Sequence, residues 1–316
     1  MPSKIHVLEG SWLGKSYQDQ VLPILTKEKV PVVRERLIPI SDLHSANQWA
    51  SLRNEVDNID IAVLDYHHWY YDDNMFYQYI QQVANCKFSS VCIFEHPYGW
   101  ERPRNVDLYS FEKKLSDRTK LVCKLLRLKS PNTKLVSPAI RVLDADIQKR
   151  YLNYFIQHRY LFDIYAVHCC TEITDHSLGA LSSFLNQVLK MLTKTVWITR
   201  WSVPSCDDKI ISSQIVQATE WDQISTIEAS AKLKTMYKII NEVTSGHTNW
   251  FFTGVGKDMY HPAKQPPDIW NVNRTYLSDE VSSNWQPEHF IGAITHDNKI
   301  KHQIINSFLE LFHAHS

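Results

Sequence analysis

The sequence is poor in glycine and has no regular cysteine pattern. Only 8 of its 316 residues are glycine, where ordinary globular usage is about 7%. Neither G-x-G-x-x-G nor G-x-x-x-x-G-K-[ST] occurs, so we do not expect a glycine-rich loop that binds phosphate. The six cysteines include no C-x-x-C pair, which predicts free thiols in a reducing compartment and not a disulfide framework.

Net charge and long apolar runs are missing as well. The 34 Lys and Arg residues balance 34 Asp and Glu residues, which removes the basic surface expected of a nucleic-acid or anionic-membrane binder. No apolar run approaches the roughly 18 residues of a membrane span, and no secretory signal follows Met1. We therefore predict a soluble, cytoplasmic protein that binds no nucleic acid, with export by a non-classical route left open.

Short β-branched apolar runs alternate with segments of helical periodicity along the whole chain. Eight runs predict strands, over residues 5–8, 30–33, 59–64, 90–94, 134–136, 162–167, 195–199 and 249–252. Between them, apolar residues recur at helix spacing, as in Phe76, Tyr79, Ile80 and Val83. This alternation predicts an α/β fold with a parallel sheet, and eight such units favour a (β/α)8 TIM barrel.

No linker or internal repeat divides the chain, so we predict a single domain over residues 1–316. The longest stretch without periodicity covers residues 254–298, after the eighth predicted strand. In a (β/α)8 barrel that loop would lie on the face that carries the active site.

Polar and aromatic residues follow the predicted strands, where a barrel builds its site. Carboxylates there suit acid and base chemistry, and flat rings suit the apolar face of a sugar. The candidate catalytic residues are Glu95, Asp65 and Glu172, and the candidate sugar-binding residues are Glu9, Trp12, Arg34, Tyr66, Trp69, Trp100, His168, Arg200, Trp201 and Trp250. A single aromatic ring at such a place is more often rim packing, and His168 fits a hydrogen-bonded core residue equally well.

We predict neither a metal nor an organic cofactor. His67 and His68 are adjacent, so at most one of them points inward from a strand, and no third well-spaced ligand accompanies them. A serine or cysteine nucleophile is not indicated, because no nucleophile-elbow motif occurs.

Three passages resemble the clan A glycoside hydrolases, whose (β/α)8 barrels carry an acid/base Glu after strand four and a nucleophilic Glu after strand seven. Residues 162–168, Phe-Asp-Ile-Tyr-Ala-Val-His, look like the family's sixth strand, which typically ends in a substrate-facing His. Residues 195–201 look like its seventh strand, and Glu95 falls where the acid/base belongs. Arg34 is similar to an arginine that often follows the second strand. The resemblance implies that the chain binds an oligo- or polysaccharide.

The sequence departs from this family at both catalytic positions. The family usually has Asn-Glu-Pro around the acid/base, whereas this chain has Phe94-Glu95-His96-Pro97. The chain therefore lacks the amide that commonly holds the sugar 2-hydroxyl in that family. Arg200 occupies the nucleophile position, and its permanently protonated guanidinium can neither form a glycosyl ester nor act as a base. A cation beside the acid/base carboxyl would also lower a pKa that a general acid needs raised.

Two main functions therefore stay open, and whether the chain is an enzyme stays open with them. The first, which we prefer, is a glycoside hydrolase-like barrel that recognises a carbohydrate with lost or altered catalysis. Arg200 would then pair with Glu95 or hold the carboxylate of an acidic sugar. The second is an active glycoside hydrolase with Glu95 as general acid and a relocated second carboxylate, such as Asp65, Glu9 or Glu172. A barrel that serves only as an interaction module is a third option.

Overall fold

Strands and helices alternate along the chain, as the sequence predicts. The computed structural model describes residues 5–10, 17–37, 61–64, 72–94, 106–141, 145–170, 181–183, 185–187, 189–190, 195–203, 205, 225–244, 249–252, 293–295 and 298–314. The strands are β1 (Ile5–Gly10), β2 (Val32–Leu37), β3 (Ile61–Val63), β4 (Ser90–Cys92), β5 (Lys134–Val136), β6 (Ile140–Arg141), β7 (Ile164–Cys170), β8 (Thr195–Ser202) and β9 (Asn249–Phe252). The α-helices are α1 (Leu22–Lys27), α2 (Asp73–Cys86), α3 (Leu108–Lys129), α4 (Ala145–His158), α5 (Thr226–Thr244) and α6 (His302–Ala314).

Each of the eight predicted strand runs corresponds to a strand of the structure, although several ends differ. β5 and β9 match residue for residue, whereas β7 and β8 continue three residues beyond the predicted ends. The two-residue strand β6 was not predicted, because two residues carry too little periodicity to be recognised.

The chain divides into two compact units. One comprises Met1–Val32, Val167–Asn273 and Glu280–Ser316, and the other comprises Val33–Ala166 and Arg274–Asp279. The predicted single domain therefore stays a prediction. Most of the predicted loop over residues 254–298 lies outside the described residues.

In the unit that begins at Val33, strands β2, β3, β4 and β5 pair in parallel and in chain order. Helices α2 and α3 each begin at an aspartate that caps the free backbone N–H groups of the first turn. Asp72 accepts a hydrogen bond from the Met75 N–H at 2.8 Å, and Asp107 accepts one from the Ser110 N–H at 2.9 Å. The sequence therefore specifies, through these two capping aspartates, where α2 and α3 begin.

A buried arginine ties α2 to α3. The guanidinium of Arg118 lies 4.1 Å from the ring centroid of Phe76 and donates from Nη2 to Asp73 Oδ1 at 2.6 Å. Asp73 is largely exposed, and the hydrogen bond from Arg118 holds the pKa of its carboxyl below the usual value. Arg118 thus contacts a carboxylate through Nη2 and an aromatic face through its guanidinium plane, and both contacts favour a cation in the helix layer.

In the other unit, strands β1, β9 and β8 pair in parallel, with Ile5 and Ile198 both opposite Trp250. Helices α5 and α6 pack on each other, and their aromatic rings meet those of the strands. Phe308 of α6 stacks on Phe252 of β9 with ring centroids 4.6 Å apart. The apolar face of α6, which the sequence shows at helix spacing, is therefore buried in the core.

Candidate functional site

The structure describes only part of the predicted site. Seven predicted residues lie outside the described residues: Glu95, Asp65, Glu172, Trp12, Tyr66, Trp69 and Trp100. The backbone alone is described for Glu9 in β1, Arg34 in β2 and Arg200 in β8. The roles of these ten residues stay predictions.

The chain adopts a strained conformation just after β4, immediately before Glu95. Phe94 has a φ angle of 59°, in the left-handed region that a bulky residue seldom occupies. Its ring is fully buried, and its centroid lies 6.1 Å from that of Phe76 in α2. Conformations of this kind cost about 1–3 kcal/mol and persist where the surrounding packing fixes them. Packing against α2 therefore fixes the direction in which the chain leaves β4.

Hydrogen bonds hold the carboxyl ends of β4 and β5 together. The Ile93 N–H donates to the Val136 carbonyl at 2.9 Å, and the Cys92 thiol donates to the Ser137 carbonyl at 3.5 Å. The Ser137 hydroxyl in turn accepts from the Ala166 N–H at 3.0 Å. The end of β4 is thus joined to β5, and the end of β5 to β7, next to the position where Glu95 follows.

His168 lies within β7 and not after its end, because this strand continues to Cys170. Its side chain is only 2% exposed, and its neighbour Cys169 is buried as well. Such burial is what a core histidine would show. A role for His168 in sugar binding stays a prediction.

Trp201 and Trp250 are core residues of the layer between the strands and helices α5 and α6. Both indoles are fully buried and meet edge to face with centroids 5.7 Å apart. Trp201 also lies 5.8 Å from Tyr237 of α5 and 6.4 Å from Phe308 of α6. Neither ring offers an exposed face on which a sugar could stack, so we do not include these two residues in the proposed site.

A bulge interrupts β8 at Arg200. Ile198 pairs with Trp250 and Trp201 pairs with Phe252, so two residues of β8, Thr199 and Arg200, lie opposite one residue of β9. The apolar pattern predicts Arg200 just beyond a strand, whereas its backbone belongs to β8, which ends at Ser202. Bulges change the direction of side chains and are frequent next to active sites.

A buried lysine that the sequence does not indicate fixes the segment after β8. Lys301, which is 3% exposed, donates from Nζ to the Ser205 carbonyl at 2.7 Å. Its backbone N–H donates to the Ala293 carbonyl at 2.7 Å. Nothing in the polar sequence around Lys301 indicates burial, and its partner lies 96 residues away.

Four described cysteines form no disulfide, as predicted, and all four side chains are buried: Cys86, Cys92, Cys123 and Cys169. Burial raises the pKa of the Cys123 thiol to about 12, so it stays protonated at neutral pH. Among the described residues, no group of three or more His, Cys, Asp or Glu side chains is arranged to hold a metal ion. The described helices include none that is long and apolar enough to cross a membrane.

Comparison with solved structures defines the class of fold. The chain resembles a thermostable mutant of a xylanase from Cellvibrio japonicus with a TM-score of 0.61 and 11% identity, over 99% of this chain and 98% of that chain. It resembles the GH53 catalytic domain of Ignisphaera aggregans with a TM-score of 0.60 and 11% identity, over 93% and 88% of the two chains. A fungal β-1,4-galactanase structure gives a TM-score of 0.59 and 14% identity, over 98% and 99%. The fold is therefore that of the (β/α)8 barrel, as predicted.

Comparison with sequence families adds a second, independent indication. Residues 116–253, which include β5 to β9, match the family model described as glycosyl hydrolase catalytic core. A search of curated protein sequences found no match. The predicted resemblance to glycoside hydrolases is thereby confirmed as a resemblance: the chain shares the fold of these structures, and residues 116–253 are similar to a glycosyl hydrolase catalytic core.

Proposed function

We propose that this barrel recognises an oligo- or polysaccharide and that its catalysis is lost or altered relative to a retaining glycoside hydrolase. The observation that carries the proposal is an arginine in the bulge of β8, within the segment that matches a glycosyl hydrolase catalytic core. β8 corresponds to the seventh of the eight predicted strands, where the family that the sequence resembles carries its nucleophile.

The chemistry of arginine accounts for the loss. A retaining glycosidase needs two carboxyl groups about 5 Å apart, one of which forms a covalent bond to the sugar. A guanidinium has only N–H donors and no accessible neutral form, so Arg200 can take neither catalytic part. It can form two parallel hydrogen bonds to a carboxylate, either that of Glu95 or that of an acidic sugar.

Phe94 supports the same conclusion at the other catalytic position. The family that the sequence resembles uses an amide before its acid/base to hold the sugar 2-hydroxyl. Here the residue before Glu95 has an apolar ring, and that ring is buried against Phe76 of α2. It supplies no hydrogen bond to a sugar, although such bonds to the 2-hydroxyl contribute to the transition state of glycoside hydrolysis.

One observation favours the second candidate, an active glycoside hydrolase with Glu95 as general acid. The left-handed conformation of Phe94 directly precedes Glu95, and strained backbone clusters at functional sites. The second carboxylate would then be Asp65, Glu9 or Glu172. If the enzyme inverts configuration, that carboxylate would lie about 6.5–9.5 Å from Glu95.

The test compares binding and hydrolysis on one panel of neutral and acidic polysaccharides. The parent protein, Glu95→Gln, Arg200→Glu and Arg200→Gln are each assayed for binding and for release of reducing sugar. We expect the parent to bind at least one polysaccharide and to release no sugar. Arg200→Gln, which has similar bulk but no charge, should weaken binding to acidic members of the panel more than to neutral ones.

Arg200→Glu tests whether the lack of a carboxylate at the nucleophile position accounts for the loss of catalysis, because this substitution places an acid there. Release of sugar by Arg200→Glu and not by Arg200→Gln would support lost catalysis strongly. Release by the parent that disappears in Glu95→Gln would instead establish the hydrolase. Failure of every polysaccharide to bind would contradict carbohydrate recognition and favour an interaction module.

A further inference from the structure

Four buried polar atoms without a hydrogen-bond partner lie within seven residues at the end of β8. In the part of the chain that the structure describes, no hydrogen bond reaches Thr199 Oγ1, Trp201 Nε1, Ser202 Oγ or Ser205 Oγ. Ser202 and Ser205 are only 1% and 2% exposed. Buried polar groups are normally paired with protein or with ordered water. So many orphan groups in one short segment indicate a partner outside the part of the chain that the structure describes.

The bulge provides an independent reason to expect such a partner here. An extra residue in one strand leaves backbone groups without their usual ladder partners and bends the strand away from its neighbour. The extra residue of β8 lies between Ile198 and Trp201, which places it among the four orphan groups. Disrupted backbone pairing and unpaired side chains therefore coincide.

The chemistry of these groups is best matched by a partner that has a neutral hydroxyl oxygen. Three of the four are hydroxyls, which both donate and accept, and the fourth is an indole N–H, which only donates. Water and a glycan hydroxyl share this chemistry. The near-complete burial of Ser202 and Ser205 favours water, because a small molecule can be enclosed during folding whereas a polysaccharide has to reach the groups from solution.

We propose that internal water molecules bind the hydroxyl groups of Thr199, Ser202 and Ser205, so that the bulged end of β8 is an internal hydration site. More than one water is needed, because a strand rises about 3.3 Å per residue and the first two hydroxyls are therefore about 10 Å apart along it. The carbonyl of Ser205 is already held by Lys301, so the hydrated segment is anchored at its far end.

The test uses thermal unfolding of the full chain in the absence of carbohydrate, so its outcome does not depend on the proposed function. Ser202→Ala, Ser205→Ala and Thr199→Val each remove one hydroxyl with little change in shape. If water is bound there, each variant leaves that water short of a partner, and we expect Tm to fall by about 2–4 °C. A crystal structure of the parent should show ordered water within about 3.2 Å of these hydroxyl oxygens.

Thr244→Val is the matched control. The Thr244 hydroxyl is also buried, and none of the described residues forms a hydrogen bond with it, but it lies at the end of α5 and not in a strand with a bulge. Removing an isolated orphan hydroxyl relieves a desolvation cost, so this variant should unfold at the parent Tm or above it. Thr199→Val and Thr244→Val make the same chemical change, but only Thr199→Val should lower Tm.

Two results would overturn the proposal. Variants at Thr199, Ser202 and Ser205 that unfold at the parent Tm or higher, with dry hydroxyls in the crystal, would show that the groups are simply unsatisfied. Variants that keep the parent Tm but lose at least tenfold in polysaccharide affinity would assign the hydroxyls to a glycan and not to water.

Discussion

Buried serines at the ends of β5 and β8 differ in the hydrogen bonds that their hydroxyl groups form. At β5, the Ser137 hydroxyl accepts from the Ala166 N–H at 3.0 Å and donates to the Pro138 carbonyl at 2.9 Å. At β8, the hydroxyls of Ser202 and Ser205 are just as deeply buried, yet no hydrogen bond reaches them from the part of the chain that the structure describes. Burial alone therefore does not tell what a polar residue does in this barrel. The identity of the partner does, and at β8 the proposed partner is internal water.

The largest effect should come from the apolar side of the same strand. Trp201 is fully buried among Trp250, Phe252 and Phe308, so Trp201→Ala should lower the free energy of unfolding by about 3–5 kcal/mol. Chemical denaturation monitors this directly. Tyr109→Ala is the control, because that ring is exposed and its loss should be nearly neutral. An equally small effect at Trp201 would mean that the indole is not a core residue and would return it to the list of sugar-binding candidates.

Ser137→Ala tests whether the paired serine at the end of β5 stabilises the protein. This change leaves the buried Ala166 N–H without its acceptor, which costs about 1–3 kcal/mol. Hydrogen exchange at the Ala166 amide should accelerate in this variant and stay unchanged in Ser202→Ala. Parent-like exchange at Ala166 would show that Ser137 does not fasten β5 to β7.

The smallest effect concerns a histidine that, like Ser137, is fully paired. His158 is buried at the end of α4, with Nδ1 2.8 Å from the Tyr154 carbonyl and Nε2 2.8 Å from Ser116 Oγ. Because Nδ1 faces a carbonyl, it carries the proton, and Nε2 accepts from the hydroxyl. Burial lowers the pKa of His158 below its usual value of 6.5.

Stability should therefore decline with acidification. Below about pH 6.5 the imidazole of His158 is protonated in the unfolded chain but stays neutral in the folded one. The contribution of His158 to the free energy of unfolding is therefore lost as the pH falls from 6.5 towards its folded pKa. The slope cannot exceed about 1.4 kcal/mol per pH unit for one group. Urea unfolding between pH 7.5 and 5.5 should show this slope in the parent and less of it in His158→Gln. An NMR titration that gives His158 a pKa above 6.5 would reverse the sign and exclude the explanation.

Much of the fold could be predicted because local signals and tertiary structure agree. β5 and β9 are compact apolar runs whose ends coincide with the predicted ends, and α6 shows its buried face at regular helix spacing. β8 could not be delimited, since its bulge brings Arg200 and Ser202 into a strand that the apolar pattern ends at Thr199. A pattern of period two cannot register one extra residue.

The site was harder to predict because its groups are defined by direction and by distant partners. An indole near the end of a strand can face a ligand or a helix layer, and only the contact of Trp201 with Phe308 decides between them. Lys301 reads as a surface lysine until its bond to the Ser205 carbonyl is seen. The left-handed conformation of Phe94 has no signature in its own sequence, because packing against α2 imposes it.

The bulge of β8 also bears on how the chain finds its fold. Two straight parallel strands can slide past each other by one residue and still form most of their hydrogen bonds, but every side chain then points to the wrong face. Between its paired positions β8 has one residue more than β9, so only one alignment places Ile198 against Trp250 and Trp201 against Phe252. The bulge therefore fixes the register of β8 against β9, and it excludes misaligned pairing of these two strands while the barrel assembles.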